Sequence, residues 1–139
     1  MNVLVDTSVW SLGLRRAPHN LSTAEQTNLT ELTELVKEGR ARIIGPIRQE
    51  LLSGIKTQSQ FERLRTKLEA FPDEPLGTAD FESAASAYNL CRSRGIVATP
   101  TDILICAVAV SRAFYIFTTD PDFRRYAAIL PVQIHSRRR

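Results

Sequence analysis

The chain has 139 residues, of which 43% are hydrophobic and 24% are charged. This length and composition are sufficient for one folded domain and exclude an intrinsically disordered chain. The net charge of +3, mostly from arginine, is compatible with a phosphate-bearing partner but is too small an excess to establish one. The longest apolar run, Ile103 to Val110, is too short to cross a bilayer.

The sequence also lacks the marks of secretion. The apolar residues from Met1 end at Asp6 without a preceding basic stretch, unlike a signal peptide. Cys91 and Cys106 fall within predicted helices, without the paired spacing or nearby histidine of a zinc site. We therefore expect free thiols, a cytoplasmic location and no membrane segment.

The first elements alternate between strand and helix. Asn2 to Val5 is a short apolar run typical of a buried strand, and Thr7 to Leu14 follows as a helix. Ser22 and Glu25 form a capping-box pattern, which predicts a leucine-bearing helix that stops at Gly39.

The middle of the chain continues this pattern. Ala41 to Ile44 predicts a second strand, and Pro46 opens the next helix. A further amphipathic helix covers Phe61 and Leu68 and is broken at Pro72.

The remaining third holds two long predicted helices, Thr78 to Arg94 and Thr99 to Ala113. Phe114 to Thr118 then predicts a strand, Phe123 to Ile129 a short helix, and Val132 to Ile134 a last strand. Strands that alternate with helices predict an α/β fold with a mainly parallel central sheet.

Four acids fall where such a sheet could gather them. Asp6 and Asp120 each follow a predicted strand, at the edge where open parallel sheets form their active sites. Asp102 lies in the first turn of an apolar helix, where an acid capping partner of Thr99 is the simpler interpretation. Glu50 lies at the edge of an apolar helical face, where most glutamates are solvent-exposed. If the four converge, their mutual repulsion calls for a cation, and carboxylate oxygens suit Mg²⁺ or Mn²⁺.

Four short segments carry a further pattern: Val5–Trp10, Glu50–Gly54, Thr101–Ala107 and Thr118–Phe123. In this order and over nearly the whole chain, they resemble the successive motifs of PIN domains. The closest resemblance is to the VapC-type toxins of bacterial toxin–antitoxin pairs. Each motif is weak alone, but four in order are specific.

The resemblance implies a three-layer α/β/α PIN-like nuclease that spans residues 1–139 as a single domain, with a short basic tail at 136–139. It implies an acidic quartet of catalytic residues, three of which are metal ligands, supported by small hydroxyl side chains and a further acid. The quartet is Asp6, Glu50, Asp102 and Asp120; the ligands are Asp6, Asp102 and Asp120; the supporting residues are Thr7, Ser8, Thr118 and Asp122.

The activity implied is that of an endoribonuclease that uses Mg²⁺, with Mn²⁺ as a substitute, to cleave RNA with a metal-activated water. The partners implied are an RNA substrate, a cognate antitoxin protein and a second copy of the chain in a homodimer.

Several side chains have simpler structural interpretations. Asp122 precedes Phe123, so we expect it to cap the short helix, with Asp120 as the ligand. His19 and His135 are expected at the surface. Trp10, Phe81 and Phe117 are expected in the core, so the sequence predicts no aromatic platform for stacking bases.

Other functions remain open at this point. A catalytically silent nucleic-acid-binding or partner-binding module on the same fold would keep the architecture without the cleavage. An aspartate-based phosphatase would need a second acid two positions after Asp6, where Ser8 stands. A receiver-like domain would need a late lysine, whereas Lys67 is the last lysine in the chain. The leucines between Ser22 and Gly39, with those near Leu51, could cover a partner surface or belong to the core.

Overall fold

Three parallel strands form the centre of the computed structural model, which describes residues 1–139 apart from the side chain of Pro18. They are β1 (Val3–Val5), β2 (Ala41–Arg42) and β3 (Tyr115–Phe117), in the order β2-β1-β3. Every β1 side chain is fully buried, as the uninterrupted apolar run predicts for a central strand covered on both faces.

Four helices surround β2 in the sequence. They are α1 (Thr7–Leu14), α2 (Thr23–Lys37), α3 (Gly45–Leu52) and α4 (Gln58–Leu68). The capping box of Ser22 and Glu25 forms as predicted, since each residue bonds to the backbone N–H of the other. Helix α1 packs on α2 and α3, and α3 packs on α4.

Two long helices precede β3, and a short one follows it. They are α5 (Thr78–Ser93), α6 (Pro100–Arg112) and α7 (Asp122–Ala127). Helices α5 and α6 pack on each other, and α6 also contacts β3 and α7. Arg112 joins the α6 end to the α5 start, because its guanidinium pairs with Asp80 at 2.7 Å.

The strand order places a crevice beside β1. The chain moves from β1 to β2 on one side and then crosses to β3 on the other side. Right-handed connections that run in opposite directions lie on opposite faces of a sheet, and they leave an open crevice at the carboxyl ends of the strands where they diverge. The expected α/β architecture is therefore confirmed, and the residues after β1 and β3 meet at that crevice.

The two outer strand predictions were too long. Beyond Arg42 only an isolated bridge between Ile43 and Asp73 continues β2. The predicted strand Val132 to Ile134 is reduced to one parallel bridge between Ile134 and Ile116. Both segments lie at the edges of the sheet. The length over which an edge segment pairs depends on its neighbours in space, which the local sequence does not show.

The core contains most of the expected apolar residues. Trp10 and Phe117 are buried, and so are Leu32, Leu35 and Leu51, which supports the core interpretation of these leucines over a partner surface. Phe81 is the exception: 54% of it is exposed, so its expected core position is wrong. Cys91 and Cys106 are free buried thiols, as expected. Among the described residues, we find no helix with the length and apolarity that crossing a membrane requires.

Candidate active site

Asp6 leaves β1 with its carboxylate buried at the crevice. Its Oδ2 accepts hydrogen bonds from Ser8 Oγ and Thr118 Oγ1, both at 2.8 Å. A strand-end aspartate commonly caps the next helix, but here the backbone oxygen of Asp6 receives the N–H groups of Val9 and Trp10. The carboxylate instead accepts from Ser8 in α1 and from Thr118, which follows β3. Its position therefore joins the ends of the two central strands.

The loop after β3 is organised by the same hydroxyls. The backbone N–H of Thr119 donates to Ser8 Oγ at 3.1 Å, and that of Asp120 donates to Thr118 Oγ1 at 3.0 Å. The N–H of Asp122 then donates to Asp120 Oδ1 at 2.9 Å. Ser8 and Thr118 thus link Asp6 to the loop that carries Asp120.

The expected cap at Asp122 is wrong. Helix α7 begins at Asp122 itself, and Pro121 occupies the position before it. Asp120, two positions earlier, supplies the carboxylate that accepts the backbone N–H of Asp122. The roles differ from the prediction because Pro121 has helical backbone angles, which brings the helix start forward by one residue. The Asp122 carboxylate therefore makes no capping hydrogen bond to α7.

Asp102 enters the crevice from the first turn of α6. Its N–H donates to Thr99 Oγ1 at 3.1 Å, which is one half of the expected capping box. The other half is replaced, because Asp102 Oδ2 accepts a hydrogen bond from the Tyr126 hydroxyl at 2.8 Å. Tyr126 is almost fully buried on α7. Sequence reasoning missed this residue, although its place three positions after Phe123 on a short helix marked it as facing the core.

Glu50 reaches the same crevice from α3 and keeps an exposed position. Its Oε1 accepts a hydrogen bond from Thr7 Oγ1 at 3.2 Å. Burial raises the pKa of Glu50, the Thr7 hydrogen bond lowers it, and the charges of Asp6 and Asp102 raise it further, with a net increase. Glu50 is therefore close enough to Asp6 and Asp102 for their charges to raise its pKa.

The carboxylates converge most closely at Asp102, Asp120 and Asp122, whose nearest ligand atoms all lie within 4.8 Å of one another. Burial raises the pKa of Asp102, and the charges of Asp6 and Asp120 add to that increase against the opposing bond from Tyr126. All four acids of the predicted quartet therefore lie in one electrostatic cluster. Asp6 is outside the closest group of three, and Asp122 is inside it.

This donor set fits a divalent cation. Carboxylate oxygens are the ligands that Mg²⁺ and Mn²⁺ prefer, and a cation would relieve the repulsion that adds to burial in raising the pKa of Glu50 and of Asp102. The hydroxyl and phenol groups that hold Asp6 and Asp102 are the partners expected around metal-binding carboxylates.

The residues at 134–138 form a second polar cluster that the sequence did not predict. His135 Nε2 lies 2.7 Å from Glu31 Oε2, and Arg138 Nε donates to Glu31 Oε1 at 2.6 Å. Glu31 on α2 is 3% exposed, and the His135 side chain is 10% exposed. The expected surface position of His135 is therefore wrong, whereas His19 is exposed as expected. No local pattern links Glu31 to residues more than one hundred positions away.

A model of the PIN domain matches residues 3–129, which includes every acid of the cluster. The chain belongs to the PIN-domain family. No curated protein matches the sequence. The family assignment confirms the resemblance drawn from the four motifs, and it extends from β1 to the residues just after α7.

Solved structures share this PIN fold at low sequence identity. FitAcB from Neisseria gonorrhoeae has a TM-score of 0.75 and 19% identity, with 96% of each chain covered. VapBC2 from Rickettsia felis, bound to a DNA fragment from its promoter, has a TM-score of 0.71 and 16% identity, again with 96% of each chain covered. A toxin–antitoxin complex from Klebsiella pneumoniae has a TM-score of 0.61 and 18% identity, with 88% of this chain and 90% of that chain covered. These likenesses establish the fold over almost the full length of the PIN domain.

Proposed function

We propose that this PIN domain is a metal-dependent endoribonuclease and the toxin of a type II toxin–antitoxin pair. The observation that carries the proposal is the carboxylate cluster at the crevice beside β1, where Asp102, Asp120 and Asp122 approach within 4.8 Å. Partly buried hydroxyls of Ser8 and Thr118 hold Asp6 at the same edge. Such a concentration of like charge is costly for the fold and is expected where a cation and a phosphate group are to be bound.

The position of each residue in the site indicates its proposed role. Asp6, Asp102 and Asp120 are the proposed ligands of Mg²⁺, for which Mn²⁺ can substitute, and the short distances of Asp122 add it to this set. A divalent ion bound there supplies a water of lowered pKa and neutralises charge at the phosphate. Ser8, Thr118 and Tyr126 hold the carboxylates in place through the bonds described above.

Glu50 has the properties of a proton carrier at the rim of the site. It is exposed, its Oε1 is oriented by Thr7, and its pKa is raised. A carboxylate of raised pKa exchanges a proton at Oε more readily near neutral pH than an ordinary glutamate does. We assign it to proton transfer and the aspartates to metal binding.

Cleavage of single-stranded RNA tests the proposal. We expect activity with Mg²⁺ or Mn²⁺ that EDTA abolishes and added ion restores. Asp102→Asn should lower the cleavage rate by at least about 100-fold, since losing a ligand should cost no less than losing a group that orients one. The variant keeps an acceptor for the Tyr126 hydroxyl, so its thermal melt should show a folded protein. Glu82→Gln on the exposed surface of α5 is the matched control and should retain wild-type activity.

Full activity in excess chelator would refute the metal mechanism. RNA binding without cleavage by the wild type would instead favour the catalytically silent module. Near-normal cleavage by Asp102→Asn would remove that residue from the site while the family assignment stands.

The partner part of the proposal rests on a different surface. A concavity of about 450 Å³ between α5 and α6 is lined by Phe81, Tyr88 and Leu104. An exposed phenylalanine beside apolar neighbours is typical of a protein interface. The proposed occupant is a second copy of the chain in a homodimer, with a cognate antitoxin bound to the complex and both acting in the cytoplasm. Sedimentation of the pure chain as a monomer, with no binding by the product of a neighbouring gene, would contradict this part alone.

A further inference from the structure

A groove of about 610 Å³ opens beside the carboxylate cluster, on the side away from Glu50. One wall is the loop from Thr118 to Pro121, which includes Asp120, and the other is the segment from Ile134 to Arg137. Pockets of 300–1,000 Å³ are the usual size for small organic ligands, so a nucleotide unit fits this space. The groove therefore continues directly from the acids that are proposed to act on a phosphodiester.

The second wall is held rigidly. The N–H of His135 donates to the oxygen of Ile116 on β3 at 2.7 Å, and its ring pairs with buried Glu31. Arg138 pairs with the same Glu31 and, through two bonds of 3.0 Å, with Glu38. His135 and Arg138 thus attach this wall of the groove to β3 and α2. The sequence alone would also allow a solvated basic tail here.

Two arginines on this groove have charge available for a ligand. Arg124, on α7, is exposed and forms no ion pair with any side chain that the structure describes. Arg137 is exposed and donates only to the neutral amide oxygen of Asn28, at 3.2 Å. By contrast, Arg138 is occupied by two glutamates, and Arg125 lies 3.6 Å from Asp122 in a loose pair. Two unpaired guanidinium groups beside an acidic cluster are arranged for an anion that must approach that cluster.

From this geometry we infer that the groove binds the segment of single-stranded RNA next to the phosphodiester at the acids. Arg124 and Arg137 each contact a backbone phosphate, and Asn28 faces the sugar or base. The inference rests on the proposed function, because it names where that site holds its substrate. A polyanion is favoured over a peptide because both available charges are positive and no large apolar side chain is exposed on the groove walls that the structure describes.

The test combines RNA binding with cleavage. Anisotropy of a labelled single-stranded RNA in EDTA measures affinity without turnover, at several salt concentrations. Arg124→Ala and Arg137→Ala should each weaken binding about tenfold. Each should also reduce the slope of log affinity against log salt by about 0.7, the change expected for one lost phosphate contact on a single strand. In Mg²⁺ the same variants should raise KM and leave kcat near the wild-type value.

Lys37→Ala is the matched control, because it also removes one exposed positive charge. Lys37 ends α2 just before the amino end of β2, whereas the acids lie at the carboxyl ends of the strands, and it pairs only loosely with Glu34 at 3.6 Å. It should leave the affinity, the salt slope and KM unchanged. A drop for Lys37→Ala equal to that for the two groove variants would overturn the inference by showing a general charge effect.

A second basic surface provides the rival location. Arg15, Arg63 and Lys67 surround a separate cavity of about 270 Å³ between the end of α1 and α4. If Arg63→Ala reduces RNA affinity and the groove variants do not, the inference is wrong. It is also wrong if the groove variants lose affinity for a protein partner while retaining RNA affinity.

The outcomes separate the groove from the activity. If the wild type binds RNA through Arg124 and Arg137 but never cleaves it, the proposed nuclease function fails while the groove stands. If the wild type cleaves RNA and both groove variants match it in KM and salt slope, the groove fails while the nuclease function stands.

Discussion

The acids of the site differ in what holds each side chain. Asp6 is buried and receives two hydroxyl bonds, whereas exposed Glu50 receives one longer bond from Thr7. Asp120 accepts a backbone N–H within its own loop. An acid fixed by several short bonds is a positioned ligand, and an acid with a single long one can move between partners. Substitutions at these positions should therefore separate loss of metal from loss of structure.

Asp120 and Asp122 give the sharpest case at the residue scale. Asp120→Asn keeps an oxygen for the N–H of Asp122, so we expect an unchanged melting temperature and weaker Mn²⁺ binding by calorimetric titration. Asp120→Ala removes that oxygen as well and should cost a further 0.5–2 kcal/mol, roughly the value of a capping side chain. Asp122→Ala should weaken Mn²⁺ binding with little loss of stability, because α7 does not depend on its side chain.

One result for these variants would contradict the assignment of Asp122 to the metal site. If Asp122→Ala lowers the melting temperature and binds Mn²⁺ like the wild type, Asp122 is structural and the close group of three is not the metal site.

At the scale of elements, α7 and α6 are joined at the site by a single hydrogen bond. The buried Tyr126 hydroxyl donates to Asp102 Oδ2 at 2.8 Å, and its ring packs edge-on against Phe123 at 5.2 Å. Burial and the Asp102 carboxylate both raise the pKa of this phenol, so it remains a donor at any working pH. The short helix thus orients the one acid that comes from the sheet-covering helix α6.

Tyr126→Phe removes only this donor. We expect a folded protein, because the ring remains, and a cleavage rate lower by roughly 10-fold to 100-fold, the usual cost of losing a partner that orients a ligand. The bond from Tyr126 lowers the pKa of Asp102, so its loss should raise that pKa. The acidic limb of the pH–rate profile should then move to higher pH, because Asp102 becomes protonated sooner as pH falls.

Tyr115→Phe is the control, because Tyr115 begins β3 at the end away from the acids and its hydroxyl bonds to no described group of the site. An unchanged acidic limb in Tyr126→Phe would show that the phenol packs against Asp102 without setting its charge.

The elements also show how far local sequence determines the structure. Helices with strong start and stop signals, such as Ser22 with Glu25, lie where the pattern predicts, because capping is local chemistry. The convergence of Asp6 and Asp120 was predictable because each follows a strand of a parallel sheet, whose strands end at one edge. Phe81 and His135 were not, because their exposure depends on packing between distant segments. Tyr126 needed the angle between α6 and α7, which no periodicity contains.

At the scale of the whole molecule, buried Glu31 ties α2 to the segment that walls the groove. Burial alone raises the pKa of Glu31, but hydrogen bonds from His135 and Arg138 outweigh it, and the net pKa is below the ordinary value of 4.5. A carboxyl whose pKa is lowered on folding stabilises the folded state above its unfolded pKa. That contribution disappears as pH falls through the folded-state pKa.

Arg138→Met tests this tie. It should lower the melting temperature at pH 7, because Glu31 stays buried with one partner fewer. The difference from the wild type should shrink as pH falls through the folded-state pKa of Glu31, which lies below 4.5, because Glu31 is then protonated in both proteins. Arg139→Met is the neighbouring control and should melt like the wild type at every pH. Equal melting of Arg138→Met and the wild type at pH 7 would show that the segment is held by His135 and the Ile134 bridge alone.

The parallel pairing around β1 has a consequence for how the protein is made. Asp6 is synthesised before Thr118, which supplies one of the two hydroxyls that hold it and lies 112 positions later. At about 5–20 residues per second, translation needs at least about five seconds to supply that partner. Until then β1 lacks β3, and Asp120 and Tyr126 do not yet exist. We therefore expect a growing chain of the proposed nuclease, and any fragment released before β3 is made, to lack the complete acid cluster and to leave RNA uncleaved.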